Sequence, residues 1–239
     1  MSGALASPSP WRAYRALVMW DWVREMKRKS TLISMGVMGL ITLFLFSFAI
    51  PISSTKAEIL ADTRAGILWV TFLFAATIGI DRAIRADAES GVFEGMLLAP
   101  VGRMTIYFAR VTSTLLFVVT LQAFLLVLFL VLFTQSLDAE GLAGLVVTAL
   151  ATDIGFVTIG VMISGMTWAL PGGDVMLRIL LFPMLLPIFN IAVEVTDRAF
   201  DGHFPTTHQL LMLLAVDALF LGAGCLLFEH LVKDSGGRP

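Results

Sequence analysis

Any chemistry in this chain would have to come from a short set of residues. Three histidines, His203, His208 and His230, could offer imidazole to a haem iron or another metal. The first two share the polar stretch EVTDRAFDGHFPTTH, where they bracket Phe204-Pro205 with no tryptophan-rich haem platform beside them, so they read as interfacial residues rather than ligands. Ser53-Ser54-Thr55-Lys56 has the spacing of a Ser-x-x-Lys nucleophile, but the companion motifs of that chemistry are missing and the stretch reads as a loop. The one cysteine, Cys225, excludes an internal disulfide, a CxxC pair and covalent haem attachment, and sits in an apolar run as a small packing residue. No glycine-rich loop ends in Lys-Ser/Thr, so ATP would have to be hydrolysed by a partner. Asp153 and Asp217 fall inside apolar runs where a carboxylate is costly. Each is expected to face the bundle or another subunit and find a donor there, in preference to forming a proton or substrate path. No nucleophile is paired with a base in these runs, which sets an intramembrane enzyme aside.

The elements that must position these residues are membrane helices. Of 239 residues 58% are hydrophobic and 14% charged, whereas a soluble domain carries about 45–50% apolar and about 25% charged residues. In hydrocarbon the backbone is satisfied only within helices or closed barrels. Long unbroken apolar runs favour helices over the alternation of a barrel strand. The expected fold is all-α: a polytopic membrane protein with six transmembrane helices and an N-terminal amphipathic helix in the interface.

In chain order, residues 1–10 read as a disordered lead and residues 11–29 as the interfacial helix. Trp11, Tyr14, Val18, Trp22 and Met26 occupy one arc of that helix, with Arg12, Arg24, Lys27 and Arg28 opposite. The transmembrane domain covers 30–232 and a polar tail 233–239. Spans are expected at about 31–50, 65–80, 105–135, 141–170, 175–193 and 209–231. The first is too long, and its charged lead too extended, for a signal peptide ending at Ala49. The second is short for about 30 Å of hydrocarbon, so its helix should continue through Asp81-Arg82. The brief turn after span three makes spans three and four neighbours. Pro171-Gly172-Gly173 ends the fourth, Pro183 and Pro187 should kink the fifth, and small residues (Ala151, Gly155, Gly160, Ser164) permit close helix approach.

Lys and Arg are distributed unevenly. Six precede span one, Arg82, Arg85, Arg103 and Arg110 flank spans two and three, Arg178 follows span four, and Lys233 and Arg238 close the chain. Lys56, Arg64 and Arg198 are on the other face. The positive-inside rule places both termini and the segment between spans two and three in the cytosol.

That segment, DRAIRADAESGVFEGMLLAPVGR, runs from Asp81 to Arg103 and is the longest polar interruption between apolar spans. Ser90 and Gly91 can start a short helix, Glu94 suits its first turn, and Phe93, Met96 and Leu97 make an i, i+3, i+4 apolar knob ringed by Asp87, Glu89 and Glu94. A soluble partner gripping such a helix would move both adjoining spans; a plain inter-span loop is the other reading.

Gly66-Ile67-Leu68-Trp69-Val70, followed by Asp81-Arg82, Arg85, Asp87, Gly91, Glu94, Leu97-Leu98 and Pro100, resembles the haem exporter protein B family, the permease subunits of the cytochrome c maturation ABC complex. The likeness extends more loosely to Gly172-Gly173 and the Pro183/Pro187 pair, and departs from the family pattern at 86–89 and 168–171. The resemblance implies a permease domain of the type-2 ABC exporter class, with the N-terminal helix as an elbow. A coupling segment at Asp81, Arg82, Arg85, Asp87, Glu89, Gly91, Phe93, Glu94, Met96, Leu97 and Pro100 would dock on an ABC ATPase. Further implied partners are a haem-handling membrane subunit, a small single-span subunit, a periplasmic haem chaperone and a second copy of the chain. ATP would be bound by the ATPase and haem by the other membrane subunit, so no catalytic, cofactor or metal residue is expected here. The competing readings are a type-2 permease for a drug, lipid or glycan, and a scaffold that transports nothing.

Overall fold

The computed structural model describes residues 9–27, 29–49, 56–89, 101–133, 137–167 and 173–235, with the side chains of 25, 26, 29, 56–62, 81–89, 228–235 and most of 165–178 left aside. Among these residues the chain is all helical: α1 (Pro10–Lys27), α2 (Lys29–Ala49), α3 (Lys56–Glu89), α4 (Arg103–Phe133), α5 (Ala139–Thr167), α6 (Gly173–Phe200) and α7 (Thr207–Ser235). Six of them, α2 to α7, are long and apolar enough to cross a membrane.

The bundle is built around α5. It packs against α6 and α7 most extensively and against α4 as well, and it is buried nearly all round from Ala151 to Ile163. That is the behaviour of a helix that is apolar on every face. α2 and α7 bury little of their surface and present Ile33, Val37, Phe48, Leu211 and Leu219 outward, as lipid-facing helices do. At the centre Trp69 and Phe72 of α3 meet Phe156 of α5 and Phe189 of α6, with ring centroids 5.2–5.7 Å apart for the closest pairs. The Trp69 indole donates to Thr196 Oγ1 of α6 at 2.9 Å, so its polar edge is satisfied within the core.

Helix ends depart from the sequence reading in an informative way. α6 does not stop at 193; it continues through Phe200 and closes with a Schellman motif. His203 N–H bonds the Arg198 carbonyl and Gly202 N–H the Ala199 carbonyl, each at 3.1 Å. Gly202 has φ +81°, a conformation glycine adopts without the Cβ clash of other residues. The polar stretch 194–200 is therefore helical, and only 201–206 connects to α7. α7 begins on a capping box, in which Gln209 N–H donates to Thr206 Oγ1 at 3.4 Å and Thr206 N–H to Gln209 Oε1 at 3.1 Å. Asp138 caps α5 by accepting from Gly141 N–H at 2.8 Å. α3 does run on through Asp81 and Arg82, ending at Glu89, and it starts at Lys56, so most of the expected loop before span two is helical. At 34 residues it is about 51 Å long, well beyond the ~30 Å of hydrocarbon. Across Pro183 and Pro187 α6 is one continuous helix.

α1 has an inward stripe that its apolar arc did not point to: Ala13, Leu17 and Asp21, with Tyr14 and Trp22 also packing inward. Trp11, Met19, Trp20 and Val23 are exposed. The cause is docking: α1 lies along α4, and its buried face is chosen by a polar contact with that helix rather than by hydrophobicity alone.

Candidate functional site

Three polar constellations stand out from the apolar bundle. The first is the segment singled out in the sequence. Asp81, Arg82, Arg85, Asp87 and Glu89 lie on the last turns of α3. Gly91, Phe93, Glu94, Met96, Leu97 and Pro100, and the short helix expected from Ser90, lie outside the described residues, as do 168–171. The described helices nevertheless fix where this segment must join: it spans from the end of α3 to the start of α4. α1 docks beside those first turns of α4, so all three meet at one end of the bundle.

The second constellation ties α1 to α4 at that same end. Asp21, only 4% exposed, takes Arg24 at 3.2 Å and Arg110 at 3.4 Å, and accepts the Ser113 hydroxyl at 3.2 Å. Arg24 also lies over the Trp20 ring at 4.7 Å, and Tyr14 and Thr112 share a 2.8 Å hydrogen bond. The sequence reading put Arg24 on the polar side of the interfacial helix, counted Arg110 as an orientation marker and passed over Asp21. The available signal was a lone acid inside a basic, tryptophan-rich helix.

The third constellation is at the opposite end. Arg64 meets the Asp201 carboxylate and reaches Asp197 Oδ1 at 3.5 Å and the Asp197 carbonyl at 3.5 Å, with its guanidinium 5.0 Å from the Phe200 ring centroid. Around it, Arg198 pairs with Glu194 at 3.3 Å and Gln209 donates to Glu194 at 3.3 Å. His203 and His208 are exposed here, and a His203 ring nitrogen is 3.0 Å from the Asp201 carbonyl. The loop charges assigned only to a face by the sequence thus join α3 to α6.

Asp153 and Asp217 are buried as expected, 0% and 4% exposed. The expected donors are not there: neither carboxylate has a hydrogen-bond partner among the described residues. Nor do they form a pair. Asp217 of α7 sits against Gly155 of α5, where a Cβ would collide with Oδ1, and residue 153 is about 200° away from residue 155 around the helix. The expected close approach at Gly155 and Gly160 is present; Gly160 receives Ile80 of α3.

Six apolar helices, one of them buried at the centre of the bundle, define a multi-pass, all-helical membrane protein. Residues 13–232 match the family model described as CcmB protein. The chain belongs to the CcmB family. It is 25% identical over 197 residues to a heme exporter protein B of Pseudomonas aeruginosa, covering 82% of this chain and 85% of that protein. A heme exporter protein B of Rhodobacter capsulatus is 25% identical over 152 residues, covering 62% of this chain and 66% of that one. Of the residues that carried the resemblance, Ile67, Leu68 and Trp69 are core residues of α3.

Proposed function

We propose that this chain is the permease subunit of an ABC complex for cytochrome c maturation, with no reaction chemistry of its own. A partner ATPase grips the Asp81–Arg103 segment and works the bundle so that haem is delivered to, or released with, a periplasmic chaperone. The observation that carries this reading is α3 itself, an unbroken helix from Lys56 to Glu89 that outruns the hydrocarbon by several turns. A force applied to the segment beyond Glu89 reaches the aromatic core through rigid backbone. The same force reaches α4, and through the Asp21 cluster it reaches α1. The haem substrate is supported by the likeness to two heme exporter protein B chains, and the cytosolic placement of both termini by the Lys/Arg asymmetry. The complex would sit in the bacterial inner membrane with the ATPase, a haem-handling membrane subunit, a small single-span subunit and a second copy of this chain. Asp81, Arg82, Arg85, Asp87, Glu89, Gly91, Phe93, Glu94, Met96, Leu97 and Pro100 are the proposed docking residues.

Charge reversal Glu94→Lys or truncation Phe93→Ala tests it. Expected is normal membrane insertion with loss of ATPase copurification, or with ATPase retained but holocytochrome c formation abolished. Normal copurification together with normal holocytochrome c yield would contradict the docking assignment. An ATPase-dead complex that behaves like the live one would favour a scaffold.

A further inference from the structure

Among its described side chains, α3 is held differently at two levels. In the half away from the proposed coupling segment the contacts are directional. Arg64, 8% exposed, is clasped by Asp197 on the last turn of α6 and Asp201 just past its end, and capped by Phe200. Five residues on, the Trp69 indole is fixed to Thr196. In the half nearer the segment the contacts described are smooth: Gly79 lies under the Met35 thioether and Ile80 rests on Gly160. Such apolar contacts have little angular preference, and the adjoining Ala75 and Ala76 are small and fully buried.

We propose that Arg64 is the fulcrum of α3, a positioning residue that turns a push at the coupling segment into a tilt of the helix. The proposal rests on the permease reading. From Arg64 to Glu89 the helix spans about 38 Å, so a displacement applied beyond Glu89 with Arg64 held moves the Ala75–Gly79 level by roughly half as much. Without the anchor the same push slides α3 along its smooth contacts and leaves the bundle closed. Arginine suits the role: its planar, permanently charged fork binds two carboxylates in one orientation, whereas lysine offers a flexible point charge. Asp197 and Asp201 are themselves 47% and 60% exposed. Ion pairs with partners so open to solvent add little stability, so loss of this one should show in coupling rather than in folding.

The test uses the complex of this chain with its ATPase and haem-handling subunits in nanodiscs, measuring inserted protein, ATP turnover and chaperone-bound haem released per ATP. Arg64→Ala is expected to keep copurification and ATP turnover near wild type while haem released per ATP falls by about tenfold, the scale of a typical coupling energy. Arg64→Lys should recover only part of it. Should Arg64→Ala insert poorly, Asp201→Asn, which leaves Asp197 in place, should reproduce the partial loss. An unchanged ratio in Arg64→Ala and Asp201→Asn, or a loss strictly proportional to the amount of inserted protein, overturns the fulcrum. A wild-type complex whose ATP turnover has no effect on haem release overturns the permease reading as well.

Discussion

The carboxylate of Asp217 on α7 lies directly against Gly155 of α5, so that no side chain larger than hydrogen fits at 155 unless Asp217, and Ile188 of α6 beside it, move. The central helix and its lipid-facing neighbour are thereby registered by one glycine and one acid. Gly155→Ala is expected to destabilise the bundle by about 1–3 kcal/mol, the usual effect of overpacking a tight site. Asp217→Ala should relieve part of it, the rest being crowding by Ile188. A double-mutant cycle in thermal unfolding reads the coupling directly, and additive effects of the two changes would contradict the contact.

Asp153 and Asp217 lack partners among the described residues, and they project from different contacts of the bundle. Neutralising either one breaks no ion pair. Asp153→Asn and Asp217→Asn are therefore expected to insert normally and to support normal holocytochrome c formation. Loss of yield with protein present at wild-type level would restore the proton or substrate path as the better reading of these residues.

At the α1 end two guanidiniums share one carboxylate, Asp21. Removing the acid leaves both cations close together and partly buried; removing Arg110 still leaves Asp21 paired with Arg24. Asp21→Ala should thus be the more damaging change, by about 1.5–3 kcal/mol, the scale of a hydrogen bond to a charged group, because it takes a buried acceptor from both guanidiniums at once, with Arg110→Ala costing clearly less. Urea unfolding of both variants in one detergent gives the order. Equal effects would mean that Asp21 serves only one of its two partners.

Much of this architecture was legible in the residues. Six apolar runs became six span-length helices, and the short second run did require α3 to extend past Asp81. What escaped was polar pairing across distance. Arg64 and Asp201 are 137 positions apart and Asp21 and Arg110 are 89 apart, so no local periodicity links them. The continuation of α6 was hidden for another reason. Polar residues at 194–201 look like a loop by composition, yet they lie at the bundle's edge, where a polar helical face is satisfied by Arg64, Gln209 and the Gly202 turn. No donor from the described residues meets Asp153 or Asp217, since sequence supplies the cost of a buried carboxylate but not its neighbours.

The central claim is that an ATPase grips the bundle between α3 and α4 from the cytosolic side. Its most direct test is a single cysteine at 93 in a Cys225→Ser background, probed with a membrane-impermeant maleimide. The account predicts labelling in inside-out vesicles, no labelling in right-side-out vesicles, and protection when the ATPase subunit is bound. Labelling from the outer side, or labelling that the bound ATPase leaves unchanged, would contradict it.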